Sequence, residues 1–154
     1  MITGLEMVGE FARNTRVLKR NLEGIDRDRA LVRMSGGGNS INWLVGHLLR
    51  SRLDMLEQLG RDISELRDRL DPYRRARDEG YQDSELLALD ELISLWDRAG
   101  EQLAEELPDA RMESDDERFE TLGKAILFYS FHEAYHIGQT GILRRAVGLE
   151  GQIR

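Results

Sequence analysis

The stretch from Leu122 to Arg145 constrains this chain most, because it carries two histidines, His132 and His136, four residues apart. Residues at positions i and i+4 of an α-helix lie on the same face, one turn apart. Two imidazoles at this spacing can bind one metal ion from a single helix. On a helical wheel their face is largely apolar, since it also carries Ala125, Phe128, Tyr129, Gln139 and Leu143. Neutral imidazoles on an apolar face need a partner, so the stretch predicts a ligand for the pair.

The chain has one further histidine, His47, in the segment Asn42-Trp-Leu-Val-Gly-His47-Leu-Leu-Arg50, which is also predicted to be helical and apolar. All three histidines therefore fall on apolar helix faces, and together with the i, i+4 pair they predict a three-histidine metal site. The chain contains no cysteine, so disulfides, a cysteine nucleophile and thiolate ligands are excluded. Three histidines leave a fourth position for water, which is typical of catalytic rather than structural zinc.

Composition sets the class of protein. With 154 residues, 40% of them hydrophobic and 33% charged, the chain is expected to fold as a single domain over residues 1–154. A net charge of −7 argues against a nucleic-acid partner. The sequence offers neither an uninterrupted apolar window of about 18 residues nor a signal peptide, so we expect no membrane association and a cytoplasmic location.

Four long helical segments are predicted, and the sequence contains no convincing strand. The first runs from about Gly4 to Gly24, and the second from about Ile41 to Leu59 after a cap at Asn39 or Ser40. The third runs from a cap at Asp83 or Ser84 to about Leu107, and the fourth begins near Glu117. This pattern predicts an all-α four-helix bundle. The long link from Arg61 to Asp83 can cross back along the bundle, so we expect a parallel second and third helix and an up-down-down-up topology.

Two linking segments leave alternatives open. Gly36-Gly37-Gly38 is predicted to form a flexible turn at the mouth of the bundle, whereas a phosphate-binding loop would need a G-x-x-x-x-G-K-[ST] pattern that does not follow. The segment 61–83 holds six arginines among similar numbers of acids. It is interpreted as a solvated crossover, with an arginine-lined lid for an anionic substrate as the alternative.

Two residues near the histidines are candidates for catalysis. Gln139 lies one turn beyond His136 on the same face and could orient a bound water; the alternative is a buried amide bonded to a neighbouring helix. Glu133 points about 60° away from His136 on the wheel, which would place it at the edge of the site as a general base. The alternative for Glu133 is an exposed surface carboxylate.

His132-Glu133-x-x-His136 also matches the H-E-x-x-H motif of zinc peptidases. Those enzymes take a third ligand further along the chain, and here 18 residues follow His136, with Glu150 as the sole acidic candidate. They also place the motif helix beside a substrate-binding strand, which is not predicted here. Peptidase activity is therefore the least favoured hypothesis.

The segment Asn42-Trp-Leu-Val-Gly-His47-Leu48, followed far downstream by His132-Glu-Ala-Tyr-His136-Ile-Gly-Gln139, resembles the DinB/YfiT-like superfamily of bacterial four-helix metalloproteins. The resemblance covers essentially the whole chain. It implies that His47, His132 and His136 bind a divalent ion, usually zinc or nickel, and that the protein is often dimeric. Characterised members include thiol S-transferases that use bacillithiol or mycothiol, and many members have no known reaction.

These observations lead to two hypotheses of function. The first is a metal-dependent thiol S-transferase or hydrolase acting on a small molecule; the second is a non-enzymatic metal-binding or stress-response module. A homodimer is also expected, because the fourth helix carries small or apolar residues opposite the histidines and a second copy could cover them. These residues are Ser130, Ala134, Ile137, Gly138 and Gly141. The alternatives are that a neighbouring helix of the bundle packs on this face or that its glycines are exposed to solvent.

Overall fold

The computed structural model describes residues 2–34, 37–74 and 81–152, and most of them are helical. The α-helices are α1 (Gly4–Leu22), α2 (Arg27–Leu31), α3 (Ile41–Gln58), α4 (Ser64–Arg67), α5 (Leu89–Glu106) and α6 (Leu122–Ala146). Short 3₁₀ turns span Asp68–Tyr73, Asp83–Glu85 and Leu107–Asp109. Strands β1 (Asp115–Asp116) and β2 (Glu120–Thr121) pair antiparallel just before α6. The predicted all-α class is confirmed.

Side-chain caps fix where three of the long helices begin. Thr3 and Glu6 form a capping box at the start of α1, which satisfies backbone N–H groups that have no partner inside the helix. Ser40, one of the two predicted caps, accepts a hydrogen bond from the backbone N–H of Trp43 at the start of α3. Thr121 accepts from Lys124 at the start of α6. Each cap places the first turn of its helix at a defined residue.

The predicted starts of the third and fourth long helices were wrong. The third, α5, begins at Leu89 rather than at Asp83 or Ser84. The chain just before it is held extended, because the backbone N–H of Leu87 donates to the Tyr73 hydroxyl and its carbonyl accepts from Asn42. The fourth, α6, begins at Leu122 rather than near Glu117, because the β1–β2 hairpin occupies the residues between. The prediction of no strand was wrong, because this hairpin contains two short strands.

The four long helices surround one hydrophobic core. Contacts join α1 to α6, α6 to α3, α3 to α5 and α5 to α1. The core is made mainly of leucines, with both tryptophans of the chain fully buried in it. Since α6 packs against both α1 and α3, two of its faces are covered.

Helix α1 covers much of the α6 face that the sequence assigned to a dimer interface. Asn14 donates a hydrogen bond to the Ser130 carbonyl, and Asn21 donates to the Ile137 carbonyl. Ile137 is buried, and a Cβ at Gly141 would lie in contact with the Asn21 amide. Ser130, Ile137 and Gly141 therefore pack within the chain, whereas Ala134 and Gly138 of the same face are exposed.

The crossover between α3 and α5 holds its arginines in surface ion pairs where the structure describes it. Arg61 pairs with Glu105 and Glu106 of α5, and Arg67 pairs with Glu57 of α3. Arg69 and Arg74 pair with Glu91 and Asp71. Arg75 and Arg77 of the proposed lid lie outside the described residues, as does Gly36 of the glycine turn. Within the described ranges, no helix has the length and apolar character required to cross a membrane.

Candidate metal centre

The three histidines meet between α3 and α6. His47 projects from α3, His132 and His136 project from α6, and one ring nitrogen of each lies within 4.8 Å of the other two. The Nε2 atoms of His47 and His132 are 3.2 Å apart. All three side chains are half-buried. The structure thus brings together the residues that the sequence proposed as ligands.

The main chain of the crossover sets the protonation of His47. Its Nδ1 atom lies 2.9 Å from the carbonyl oxygen of Tyr73. A carbonyl oxygen can only accept, so in the neutral ring the proton sits on Nδ1 and the Nε2 lone pair faces the other histidines. A metal-binding histidine commonly donates its second nitrogen to such an acceptor.

The same arrangement recurs at the two histidines of α6. The Nδ1 atom of His136 lies 2.6 Å from the side-chain oxygen of Gln139. The Nδ1 atom of His132 lies a longer 3.5 Å from the Ser51 hydroxyl, and that hydroxyl already donates its proton to the His47 carbonyl at 3.2 Å. Ser51 can therefore only accept from His132. In each ring Nδ1 is the donor, which leaves Nε2 for a ligand.

The donor set fits a divalent metal ion. Two Nε2 lone pairs that face each other at 3.2 Å repel unless a cation lies between them. Zinc–nitrogen bonds of about 2.0–2.1 Å in a tetrahedron place neighbouring nitrogens about 3.3 Å apart, close to the observed distance. Three imidazoles suit zinc and nickel, among other metals.

Aromatic side chains hold the three rings in place. Trp43 stacks on His47 with ring centroids 4.7 Å apart and planes 12° apart. Phe128 stacks on His132, and Tyr135 meets His136 edge to face. Contacts on the ring faces and edges restrict rotation, so the direction of each Nε2 atom is set before a ligand arrives.

Tyr73 is the site residue that sequence reasoning missed. It lies in the 3₁₀ turn Asp68–Tyr73, is fully buried, and packs its ring against Gly46, where any Cβ would overlap it. Its hydroxyl donates to Asn42 and accepts from Leu87, and burial raises the pKa of this phenol, so it stays neutral. No spacing or composition signal links this crossover residue to His47; Gly46 beside a ligand was the one available hint.

A cavity of about 570 Å³ adjoins the three histidines. Gly37 and Gly38 form part of its mouth with left-handed backbone angles, φ of 89° and 107°. This agrees with the prediction of a turn at the mouth, for the part of the glycine run that is described. The cavity leaves room for a molecule beside the three Nε2 atoms. Its remaining walls come from the start of α3 and from the outer face of α6, and Gln139 lies among them.

Glu133 does not lie at the edge of the histidine site, where the helical wheel predicted it. Its side chain is fully buried and faces Arg52, with Oε1 2.7 Å from the Arg52 Nε atom. Oε2 accepts from Arg52 and from Asn14. Burial raises the pKa of Glu133, and the Arg52 charge and the hydrogen bonds from Arg52 and Asn14 oppose that shift. The alternative of an exposed carboxylate was therefore wrong.

The position of Glu133 weakens two sequence hypotheses. Among the described residues that line the histidine cavity there is no aspartate or glutamate. A general-base role for Glu133 stays a prediction, with no contact to support it. The H-E-x-x-H peptidase hypothesis needs this carboxylate beside the metal, and the carboxylate is instead committed to Arg52 and Asn14.

Comparison with known proteins gives one family. No curated protein and no solved structure shows significant similarity to the chain. The family model of the DinB superfamily matches residues 10–140, which include all three histidines and the four long helices apart from their outermost residues. A match over this much of the chain agrees with the resemblance carried by the two histidine motifs, and the chain belongs to the DinB superfamily.

Proposed function

We propose that this chain is a metal-dependent enzyme that acts on a small molecule bound in the histidine cavity. The observation that carries the proposal is that one ring nitrogen of each histidine lies within 4.8 Å of the other two, while a hydrogen bond at each Nδ1 leaves Nε2 without its proton. Three protein ligands with an accessible fourth position are typical of catalytic metal sites. We favour zinc or nickel, as the family resemblance implies.

Each residue around the site has a defined task in this proposal. His47, His132 and His136 would hold the metal, which supplies Lewis acidity that lowers the pKa of a bound water or thiol. Tyr73, Ser51 and Gln139 are positioning residues that fix the tautomers. Gln139 acts through His136, and its remaining amide nitrogen is the group that could orient a reactant in the cavity.

The four long helices would form an up-down-down-up bundle. In support, contacts along α1 and α6 run in the same order, since Asn14 meets Ser130 and Asn21 meets Ile137. Contacts along α3 and α6 run in opposite order, since His47 lies near His136 and Arg52 bonds Glu133. Such an arrangement would bring a histidine near the start of α3 level with the later half of α6.

We propose thiol S-transfer or hydrolysis as the reaction. Both need a nucleophile of lowered pKa, which a metal held by His47, His132 and His136 would supply, and the described cavity lining has no carboxylate that could act as a general base instead. The cavity is within the size range of small-molecule sites. The cavity's accessible rim at Tyr135 and Ile142 favours this enzyme over a non-enzymatic metal-binding or stress-response module, which would have a sealed site.

The partners stay part of the proposal. We expect a small-molecule substrate, a low-molecular-weight thiol and a second copy of the chain as partners, and neither a nucleic acid nor a membrane. We also propose a cytoplasmic location, as expected from the sequence.

Metal analysis of the purified protein tests the proposal. We expect about one divalent ion per chain, and a sharp loss of occupancy in His47→Ala, with Ser94→Ala on α5 as the control that keeps its metal. Turnover would then be assayed with bacillithiol or mycothiol plus monochlorobimane, and with p-nitrophenyl acetate. A wild-type chain without metal, or full occupancy in His47→Ala, would overturn the three-ligand site.

A further inference from the structure

The walls of the histidine cavity and one amide group beside His136 define what the cavity can hold. We infer that the reactant has an apolar body beyond its metal-binding atom, and that this body carries an acceptor oxygen which binds the side-chain N–H of Gln139. This inference rests on the proposed function and narrows the substrate class of the same site. It makes Gln139 a residue that determines specificity.

The charge of the site decides how the reactant binds the metal. The three ligands would be neutral imidazoles in the tautomers described above, and the described cavity lining holds no aspartate or glutamate. A divalent ion held there keeps its positive charge, so an anionic donor atom such as a thiolate suits its open position. The rest of the reactant then meets the walls of the cavity.

The walls beside the histidines are mainly apolar. Trp43, Leu44 and Leu143 are buried where they line the cavity, and Ile142 stands at the rim with 59% of its surface exposed. Small-molecule sites are typically lined in this way, with few polar groups that set orientation. An apolar body on the reactant would lose contact with water against these side chains, which favours its binding.

Gln139 lines this cavity and has a polar group that the protein does not use. Its oxygen accepts from the His136 Nδ1 atom at 2.6 Å, which leaves the amide nitrogen, Nε2, without a hydrogen-bond partner among the described residues. In those residues the fully buried side-chain atoms that lack a partner belong to Asn39 and Arg52. The Gln139 nitrogen is therefore accessible, and a molecule in the cavity can reach it.

The chemistry of this nitrogen defines its partner on the reactant. An amide N–H can only donate, so the partner must be an acceptor such as a carbonyl oxygen. Gln139 contacts Nδ1 of His136, whereas Nε2 of that ring is the atom left to bind the metal. The acceptor is therefore a group separate from the metal-binding atom, and it orients the apolar body relative to the three histidines.

Three thiols test the inference on the purified protein saturated with zinc, with binding measured by calorimetry. N-benzyl-N-methyl-3-sulfanylpropanamide, the benzyl amide, has a phenyl ring and a carbonyl acceptor. 5-Phenylpentane-1-thiol keeps the ring and the chain length but lacks the acceptor. N,N-dimethyl-3-sulfanylpropanamide, the dimethyl amide, keeps the acceptor but lacks the ring. All three share the thiol, so the metal contributes similarly to the binding of each.

Gln139→Glu separates recognition of the reactant from metal binding. The carboxylate keeps an acceptor for the His136 Nδ1 proton and replaces the N–H donor by an oxygen. The added negative charge acts on both phenyl thiols, whereas the lost hydrogen bond affects the benzyl amide alone. We therefore expect the affinity for the benzyl amide to fall about tenfold more than that for 5-phenylpentane-1-thiol. Gln102→Glu on α5, outside the cavity lining, should leave both affinities unchanged.

The dimethyl amide and a variant at the rim test the apolar body. Wild type should bind the dimethyl amide about tenfold more weakly than the benzyl amide, because the phenyl ring buries apolar surface. Ile142→Ser should weaken binding of both phenyl thiols and leave the dimethyl amide unchanged. Leu5→Ser, at an exposed position of α1 that does not line the cavity, should leave all three unchanged.

The outcomes distinguish this inference from the proposed function. If Gln139→Glu holds zinc and weakens both phenyl thiols by the same factor, Gln139 recognises no acceptor and the inference is wrong, while the proposed enzyme stands. Equal binding of the benzyl and dimethyl amides to wild type would exclude the apolar body in the same way. A wild type that holds no zinc and binds none of the three thiols overturns the proposed function and this inference with it.

Discussion

His47 and Tyr73 are 26 residues apart in the chain, yet the Tyr73 carbonyl lies 2.9 Å from the His47 Nδ1 atom. The contact exists because Gly46 lets the Tyr73 ring pack directly on α3. The crossover, which resembles a plain connection in the sequence, therefore supplies an acceptor that orients a candidate metal ligand. This dependence of a ligand on a glycine and a tyrosine gives the first prediction.

Gly46→Ala should damage both the fold and the metal site. The added methyl would overlap the Tyr73 ring, and overpacking of this kind typically costs about 1–3 kcal/mol of unfolding free energy. Displacing Tyr73 also removes the His47 acceptor, and loss of such partners lowers metal affinity about 10- to 100-fold. Urea unfolding and competition with a metal chelator measure the two effects.

Gly138→Ala on α6 is the matched control, because a Cβ there would meet no heavy atom within 4 Å. It should leave metal affinity unchanged and stabilise the helix by up to about 1 kcal/mol. If Gly46→Ala behaves like Gly138→Ala, the crossover does not position His47.

Gln139→Leu should weaken metal binding about 10- to 100-fold while the helix stays folded, because the variant removes the acceptor of the His136 Nδ1 proton. Gln139→Glu keeps an acceptor oxygen and should restore most of the affinity. Gln102→Leu on α5 is the control. Equal affinity in wild type and Gln139→Leu would show that Gln139 does not position His136.

Some features of this molecule could be predicted from the sequence and others could not. The spacing of His132 and His136 and the apolar setting of His47 were sufficient to predict the cluster, because helix periodicity fixes which side chains share a face. Ser40 was predicted as a cap because a cap depends on local geometry alone.

Other features depend on contacts between segments distant in the chain. The prediction put Glu133 at the edge of the metal site because a helical wheel describes one helix and contains no information about the helices packed against it. In the structure, α1 and α3 both pack against α6, and the Glu133 carboxylate is buried between them against Arg52. Likewise, the start of α5 depends on Tyr73 holding Leu87, and neither residue signals that contact in the sequence.

Glu133→Ala should destabilise the fold by about 3–5 kcal/mol, because it leaves the fully buried Arg52 without its counter-charge. Replacing both partners, Arg52→Met with Glu133→Leu, should cost less than the single change, since no unpaired buried charge remains. Urea unfolding of wild type, Glu133→Ala and the double variant measures both effects. A Glu133→Ala variant of native stability that has lost turnover but kept its metal would instead support the general-base role.

Asp54 gives a pH prediction. Burial raises the pKa of its carboxyl above the ordinary value, against the opposing charges of Arg50 and Arg67. Because the pKa is raised in the folded state, the protonated carboxyl group favours folding. This contribution to the free energy of unfolding is lost as the pH rises through the folded-state pKa. Asp54→Asn should therefore gain stability relative to wild type as the pH rises from about 4 to 7.

Asp62 provides a control of opposite sign. The backbone N–H of Ser64 donates to this carboxyl and lowers its pKa, so its contribution is present at neutral pH and is lost as the pH falls through the folded-state pKa. Asp62→Asn should thus be less stable than wild type at neutral pH and approach it in acid. If the stability of both variants relative to wild type changed with pH in the same direction, the assigned causes of the two pKa shifts would be wrong.

The last prediction concerns the homodimer. The α6 face assigned to it packs in part on α1, whereas Leu127 and Phe131 of α6 are exposed, Phe131 by 68%. Exposed apolar side chains along one helix are typical of an interaction surface, and a two-fold pair of α6 helices would bury them reciprocally. We expect Phe131→Glu to weaken self-association at least tenfold in sedimentation experiments, and Leu5→Glu on α1 to leave it unchanged. A monomeric wild type, or equal self-association of all three proteins, would exclude this surface.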